Sequence, residues 1–139
     1  MPSSRGDVLI IEDSPDAAEI FAILVEREGF RPVVCGTAAA GMAAFAHARP
    51  VAVILDWTLP DRPGIDVCRN IRAQDQAVPI IFASGRDDET SIARGMDAGA
   101  DDYVPKPVRG GTLRVIAFHQ CRGMSGLSRQ ISCKPEPSE

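Results

Sequence analysis

Short unbroken apolar runs alternate along this chain with longer segments of helical periodicity, and few architectures can bury both at once. Val8-Leu9-Ile10-Ile11 is apolar at every position, as expected of a strand covered on both faces. Ser14 and Pro15 offer a cap and a first-turn proline for a helix over Pro15–Glu28, with Ile20, Phe21, Leu24 and Val25 assigned to its inner face and Gly29 as its stop. A second strand is predicted over Arg31–Cys35. An alanine-rich helix follows, capped by Thr37, running to the neighbourhood of Ala48 and ended by Pro50. Val51–Leu55 forms a third strand that ends at Asp56, and Pro60, Pro63 and Gly64 make the next segment a loop. A helix over Gly64–Gln74 turns Ile65, Cys68 and Ile71 inward. Pro79–Ala83 is a fourth strand ending at Ser84-Gly85, and the acids that open a helix over Asp87–Asp97 suit its positive end. A short fifth strand over Asp102–Val104, a Pro105-Lys106-Pro107 loop and a fifth helix from Thr112 to the region of Arg122 complete five βα units. Such alternation predicts a single α/β domain: a doubly wound, five-stranded parallel sheet with helices on both faces and right-handed crossovers.

The length of 139 residues suits one compact domain, and 45% hydrophobic with 24% charged residues is enough to fill one core. The expected organisation is a tail over 1–6, a folded domain over 7–122 and a Gly-, Ser- and Pro-rich flexible tail over 123–139. No apolar run approaches the roughly 18 residues needed to span a bilayer, and the polar Met1–Asp7 segment has no signal-peptide pattern. A cytoplasmic location without membrane insertion is therefore expected. Cys35, Cys68, Cys121 and Cys133 form no CxxC pair, so they are read as reduced, small apolar residues. The net charge of −4 is uneven: residues 1–106 hold 10 Lys and Arg against 17 Asp and Glu, whereas 107–139 hold 5 against 2. An acidic body argues against direct nucleic-acid binding by the folded part.

Open α/β sheets bind ligands at the carboxyl ends of their strands. At those ends this chain carries Glu12-Asp13, Asp56, Ser84 and, after the fifth strand, Lys106. Each has an ordinary reading alone: acids after a strand cap helices, a Ser before Gly marks a turn, and a Lys between prolines is a surface group. Their coincidence at one sheet edge points to chemistry. Three carboxylates repel one another unless a cation sits among them, and an all-oxygen set favours a hard ion such as Mg²⁺. Asp56, fixed by a rigid apolar strand, could attack phosphorus and form an acyl phosphate, with Lys106 and the Ser84 hydroxyl holding the phosphoryl oxygens.

In three stretches the chain resembles the receiver domain of two-component response regulators. They are Val8-Leu9-Ile10-Ile11-Glu12-Asp13-Ser14-Pro15, Val53-Ile54-Leu55-Asp56-Trp57-Thr58-Leu59-Pro60 with Gly64, and Gly99-Ala100-Asp101-Asp102-Tyr103-Val104-Pro105-Lys106-Pro107. The resemblance covers 7–122 and implies a flavodoxin-like sheet of strand order 2-1-3-4-5. It implies Glu12, Asp13, Asp56 and the backbone carbonyl of Thr58 as Mg²⁺ ligands, Asp56 as phosphoacceptor, and Lys106 as its phosphate contact. Ser84 and Tyr103 match the switch positions, and Thr58 and Arg86 the positions that modulate phosphoryl lifetime. The implied partners are a histidine kinase or histidine phosphotransfer protein upstream and an unidentified protein or output domain downstream, with homodimerisation left open. The chain would be a switch that takes part in its own phosphoryl transfer and slow autodephosphorylation, not a turnover enzyme. Glu12 stands where aspartate is more usual, Leu59 where methionine is common, and Val108-Arg109-Gly110-Gly111 departs from the usual strong helix start.

No output domain fits into the residues after the receiver-like part, so docking to another protein, or a module beyond this chain, would carry the signal. A phosphorylation-independent interaction module of the same fold is the alternative, and the complete set of acids, Ser84 and Lys106 weighs against it. An aspartate-nucleophile phosphatase would place Asp-x-Asp after its first strand, where this chain has Glu12-Asp13. A mononucleotide-binding protein would carry a glycine-rich phosphate loop there.

Overall fold

A computed structural model describes residues 6–85 and 89–105. Its elements run β1 (Asp7–Ile11), α1 (Pro15–Arg27), β2 (Arg31–Cys35), α2 (Ala38–Ala48), β3 (Ala52–Asp56), α3 (Gly64–Gln74), β4 (Ile80–Ser84), α4 (Glu89–Asp97) and β5 (Asp102–Pro105). The five strands form one parallel sheet in the order β2-β1-β3-β4-β5. The doubly wound α/β architecture, and the strand order that the receiver resemblance implied, are both present. The fifth helix, the Pro105-Lys106-Pro107 loop beyond Pro105, Gly110-Gly111, both predicted tails except Gly6, Cys121 and Cys133 lie outside the described residues, as do Arg86, Asp87 and Asp88.

The unbroken apolar runs follow from covering the sheet twice. Alternate side chains of each strand feed opposite cores. Leu9, Ile11, Val53, Leu55, Ile80 and Phe82 pack with residues of α2 and α3 on one face, among them Ala38, Phe45, Ile65, Cys68 and Ile71. Val8, Ile10, Ala52, Ile54, Ile81 and Ala83 pack with Phe21 and Val25 of α1 on the other. The edge strands are less covered: β2 has Arg31 and Val34 exposed, and Asp102, Tyr103 and Val104 of β5 are half-buried.

Helix ends follow the local chemistry. Ser14 accepts a bond from the Ala17 amide at 3.3 Å, and Thr37 one from Ala40 at 3.1 Å. α2 closes through Arg49 in the left-handed region at φ 50°, just before Pro50. The inward face of α3 is as predicted, with Val67 added. In α1 the reading needs one correction: Ile20 is 42% exposed, and Ala18 takes its place inside. Phe21 anchors the helix on the sheet, and Ile20 lies about 100° round the helix axis from it, too far to share that contact.

Arg72 of α3 secures the far end of the sheet. Its guanidinium donates to the carbonyls of Gly99 (2.8 Å), Asp75 (3.1 Å) and Val78 (2.6 Å) and to the Asp101 carboxylate at 2.9 Å. The same Asp101 oxygen accepts the Ile80 amide at 2.9 Å, so one ion pair ties α3 to the entries of β4 and β5. Cys68, buried in α3, has its thiol pushed up to about 11, chiefly by desolvation, which keeps it protonated. Among the described residues no helix is long and apolar enough to cross a membrane.

Candidate functional site

Parallel pairing sets the site. Ile11 lies opposite Leu55, so the next residues, Glu12 and Asp56, leave adjacent strands side by side. On the other flank Asp56 lies opposite Ala83, which puts Ser84 one step further along β4, and Ser84 lies opposite Pro105. Glu12, Asp56 and Ser84 are all buried, at 2%, 6% and 4% exposure, whereas Asp13 is exposed. Glu12, Asp13 and Asp56 offer oxygens that all lie within 4.8 Å of one another. The three acids read from the sequence therefore converge. The donor set is all oxygen and anionic, which fits a hard divalent cation such as Mg²⁺, and exposed Asp13 leaves the group a side open to solvent.

Backbone contacts hold these carboxylates in place. The Glu12 amide donates to the Cys35 carbonyl at 2.9 Å, while the Glu12 side chain accepts the Ser14 amide at 3.1 Å. The Asp56 carboxylate accepts the Thr58 amide at 3.4 Å. The loop after β3 is then closed at its base by a bridge between Thr58 and Pro63 and by the Gly64 amide, which donates to the Trp57 carbonyl at 2.8 Å. A Cβ at Gly64 would run into the carbonyl oxygen of Asp56, so only glycine lets α3 start so close to the site.

Tyr103, half-buried on β5 opposite Phe82, joins a three-ring group. Its ring centroid lies 5.8 Å from that of Trp57 and 6.2 Å from that of Phe82, and Trp57 meets Phe82 edge-on at 5.0 Å. Thr58 is exposed at the rim. Lys106 and Arg86 lie outside the described residues.

Sequence reasoning missed two residues of this region. Trp57 stands out in the sequence only as part of a matching stretch, yet its ring links the end of β3 to Tyr103. Asp61 carries no distinguishing sequence pattern. Its carboxylate accepts the Ala38 amide at 2.8 Å and the Ala39 amide at 3.0 Å, and those two bonds hold its pKa below the usual carboxylate range. Its partners lie more than 20 residues away, so no local pattern could have revealed the contact.

A family model described as the response regulator receiver domain matches residues 8–117. The DNA-binding response regulator MtrA of Mycolicibacterium smegmatis is 39% identical over 109 residues, covering 78% of this chain and 47% of MtrA. The chain thus spans about half the length of the curated relatives it matches. Among solved structures, the BeF3-activated N-terminal receiver domain of Klebsiella pneumoniae RstA superposes with a TM-score of 0.76 at 25% identity, covering 82% of this chain and 97% of that one. A CheY-like receiver domain protein from Methanospirillum hungatei JF-1 gives a TM-score of 0.80 at 22% identity, over 88% and 97% of the two chains, a likeness of fold. MtrA's description as DNA-binding narrows the expectation about nucleic acid: it applies only to the acidic body of this chain and not to the larger proteins that carry such a domain.

Proposed function

The chain belongs to the response regulator receiver domain family of two-component signalling, and from that membership we propose that it works as a Mg²⁺-dependent phosphorylation switch centred on Asp56. One observation carries the reading: the buried Asp56 carboxylate at the end of β3 stands within reach of Glu12 and Asp13. Glu12, Asp13, Asp56 and the Thr58 carbonyl would hold the ion. When bound, the metal would offset the charge on the phosphoryl oxygens. An Asp56 carboxylate oxygen attacks the phosphorus of a phosphohistidine on a kinase or phosphotransfer protein. The new O–P bond forms as the P–N bond breaks, and the departing imidazole takes up a proton. Lys106 and the Ser84 hydroxyl bind the phosphoryl oxygens, and Thr58 and Arg86 tune how long the acyl phosphate lasts before water removes it.

The readout runs through Ser84 and Tyr103. Ser84, buried at the end of β4, shifts its hydroxyl toward the new charge, and the half-buried Tyr103 ring follows inward, altering the surface near α4 and β5. The receiver unit spans 7–122, operates in the cytoplasm and passes its state to a downstream protein or output domain. In relatives such as MtrA a DNA-binding function accompanies the receiver, and the same arrangement is open to the protein that holds this chain.

Incubation with Mg²⁺ and acetyl phosphate, followed by intact-mass analysis, tests the reading. Wild-type protein gains one phosphoryl group. Asp56→Asn gains none and keeps the wild-type circular dichroism spectrum. A wild type that shows no Asp56-dependent gain, with a histidine kinase as donor as well, would sink the switch.

A further inference from the structure

We propose that Asp61 is a positioning residue for the metal-binding carboxylates, acting as a clamp between the loop after β3 and the start of α2. The inference rests on the metal reading given above. Asp61 sits at the tip of the Thr58–Pro63 loop, the loop whose Thr58 carbonyl is the proposed backbone ligand. Both of its oxygens are used, one on the Ala38 amide at 2.8 Å and one on the Ala39 amide at 3.0 Å, so the carboxylate cannot swivel about a single bond.

α2, which it grips, is seated directly on the strand that carries the other ligands. At Gly41 a Cβ would stand 2.5 Å from Ile11 Cδ1, so the helix backbone rests against the residue preceding Glu12. The lead-in to α2 also bonds that segment, through the Glu12 amide on the Cys35 carbonyl at 2.9 Å. A closed circuit results: Asp56, the Thr58 loop, Asp61, the α2 N-terminus, Cys35 and Glu12. Cutting the Asp61 link opens this circuit between the loop bearing Thr58 and the start of α2. Ligands held by such an outer link lose metal affinity when it is cut.

Thr37 supplies the control. Its hydroxyl caps the same helix on the Ala40 amide at 3.1 Å, a bond made within the α2 end itself and not to the loop that Asp61 reaches from. Trp57, the single tryptophan and neighbour of Asp56, supplies an optical probe. In a Mg²⁺ titration of Trp57 fluorescence with the full chain, Asp61→Ala is expected to raise the apparent Kd roughly tenfold, the scale of lost outer-shell support. Thr37→Ala should lower the melting temperature and leave the Mg²⁺ Kd where it was. In metal-free protein, hydrogen exchange over residues 57–64 should quicken in Asp61→Ala and not in Thr37→Ala. A wild-type Kd retained in Asp61→Ala, or raised equally by Thr37→Ala, overturns the clamp while the metal reading stands. A wild type with no saturable response to Mg²⁺ overturns the metal reading, and the clamp with it.

Discussion

Gly64 shows how little freedom the carboxylate site leaves at a single residue. Its missing side chain lets the first turn of α3 press against the Asp56 carbonyl, and its amide closes the loop on Trp57 at 2.8 Å. Gly64→Ala is therefore expected to destabilise the protein by about 1–3 kcal/mol, the scale of forced overpacking, read from chemical denaturation. Because the displaced atom is the backbone of Asp56 itself, the variant should also label more slowly with acetyl phosphate. A neutral substitution at this position would mean that α3 can back away from the site. Asp56 is the opposite case, legible in advance because an acid ending a run as apolar as Val51–Leu55 has few structural uses. Ser84 was legible as a polar residue ending a strand, and Tyr103 from the stretch that resembles receivers. Asp61 and the ring of Trp57 were not, since each acts on partners far along the chain.

At the scale of the element, α3 does two jobs from opposite ends. Its first residue borders Asp56, and its last turn carries Arg72, which satisfies three carbonyls and the Asp101 carboxylate. Both partners of the Arg72–Asp101 pair are largely buried, at 15% side-chain exposure each. Removing one leaves the other charge stranded, which outweighs the Coulomb energy of the pair itself. Arg72→Met should therefore cost about 3 kcal/mol in urea unfolding. It should also loosen the starts of β4 and β5, seen as faster hydrogen exchange at Ile80 and Tyr103. A loss under about 0.5 kcal/mol, the size of a surface pair, would contradict this account. Helical periodicity placed α3 correctly and misjudged α1, where Ile20 faces outward. Periodicity gives the width of an apolar stripe, but the side chain that seats the helix, here Phe21, decides which edge of the stripe is covered.

For the whole molecule, an acidic body must keep its carboxylates apart or matched. Asp7 is matched by Arg31, whose guanidinium bonds it at 2.9 and 3.0 Å and holds its carboxyl below the ordinary value of 3.8. The amides of α2 do the same for Asp61. In both cases the folded pKa lies below the unfolded one, so the stabilisation is complete above the unfolded value and is lost as pH falls through the folded value. The melting temperature should thus decline as the pH is taken from neutrality to below 3.8, and the slope should be shallower in Asp7→Asn/Asp61→Asn; an unchanged slope would refute the assignment. The amino-acid sequence by itself determined the layered architecture, the strands and helices to within a residue or two over the described region, and the sheet edge where Glu12, Asp13, Asp56 and Ser84 gather. Those properties are periodic or local: apolar runs, caps, and polar residues ending strands. Only the tertiary structure decided that Asp61 reaches the start of α2, that Trp57 meets Tyr103, and that Arg72 joins three elements. Each of those contacts depends on how separate elements pack, and packing leaves no period in the sequence.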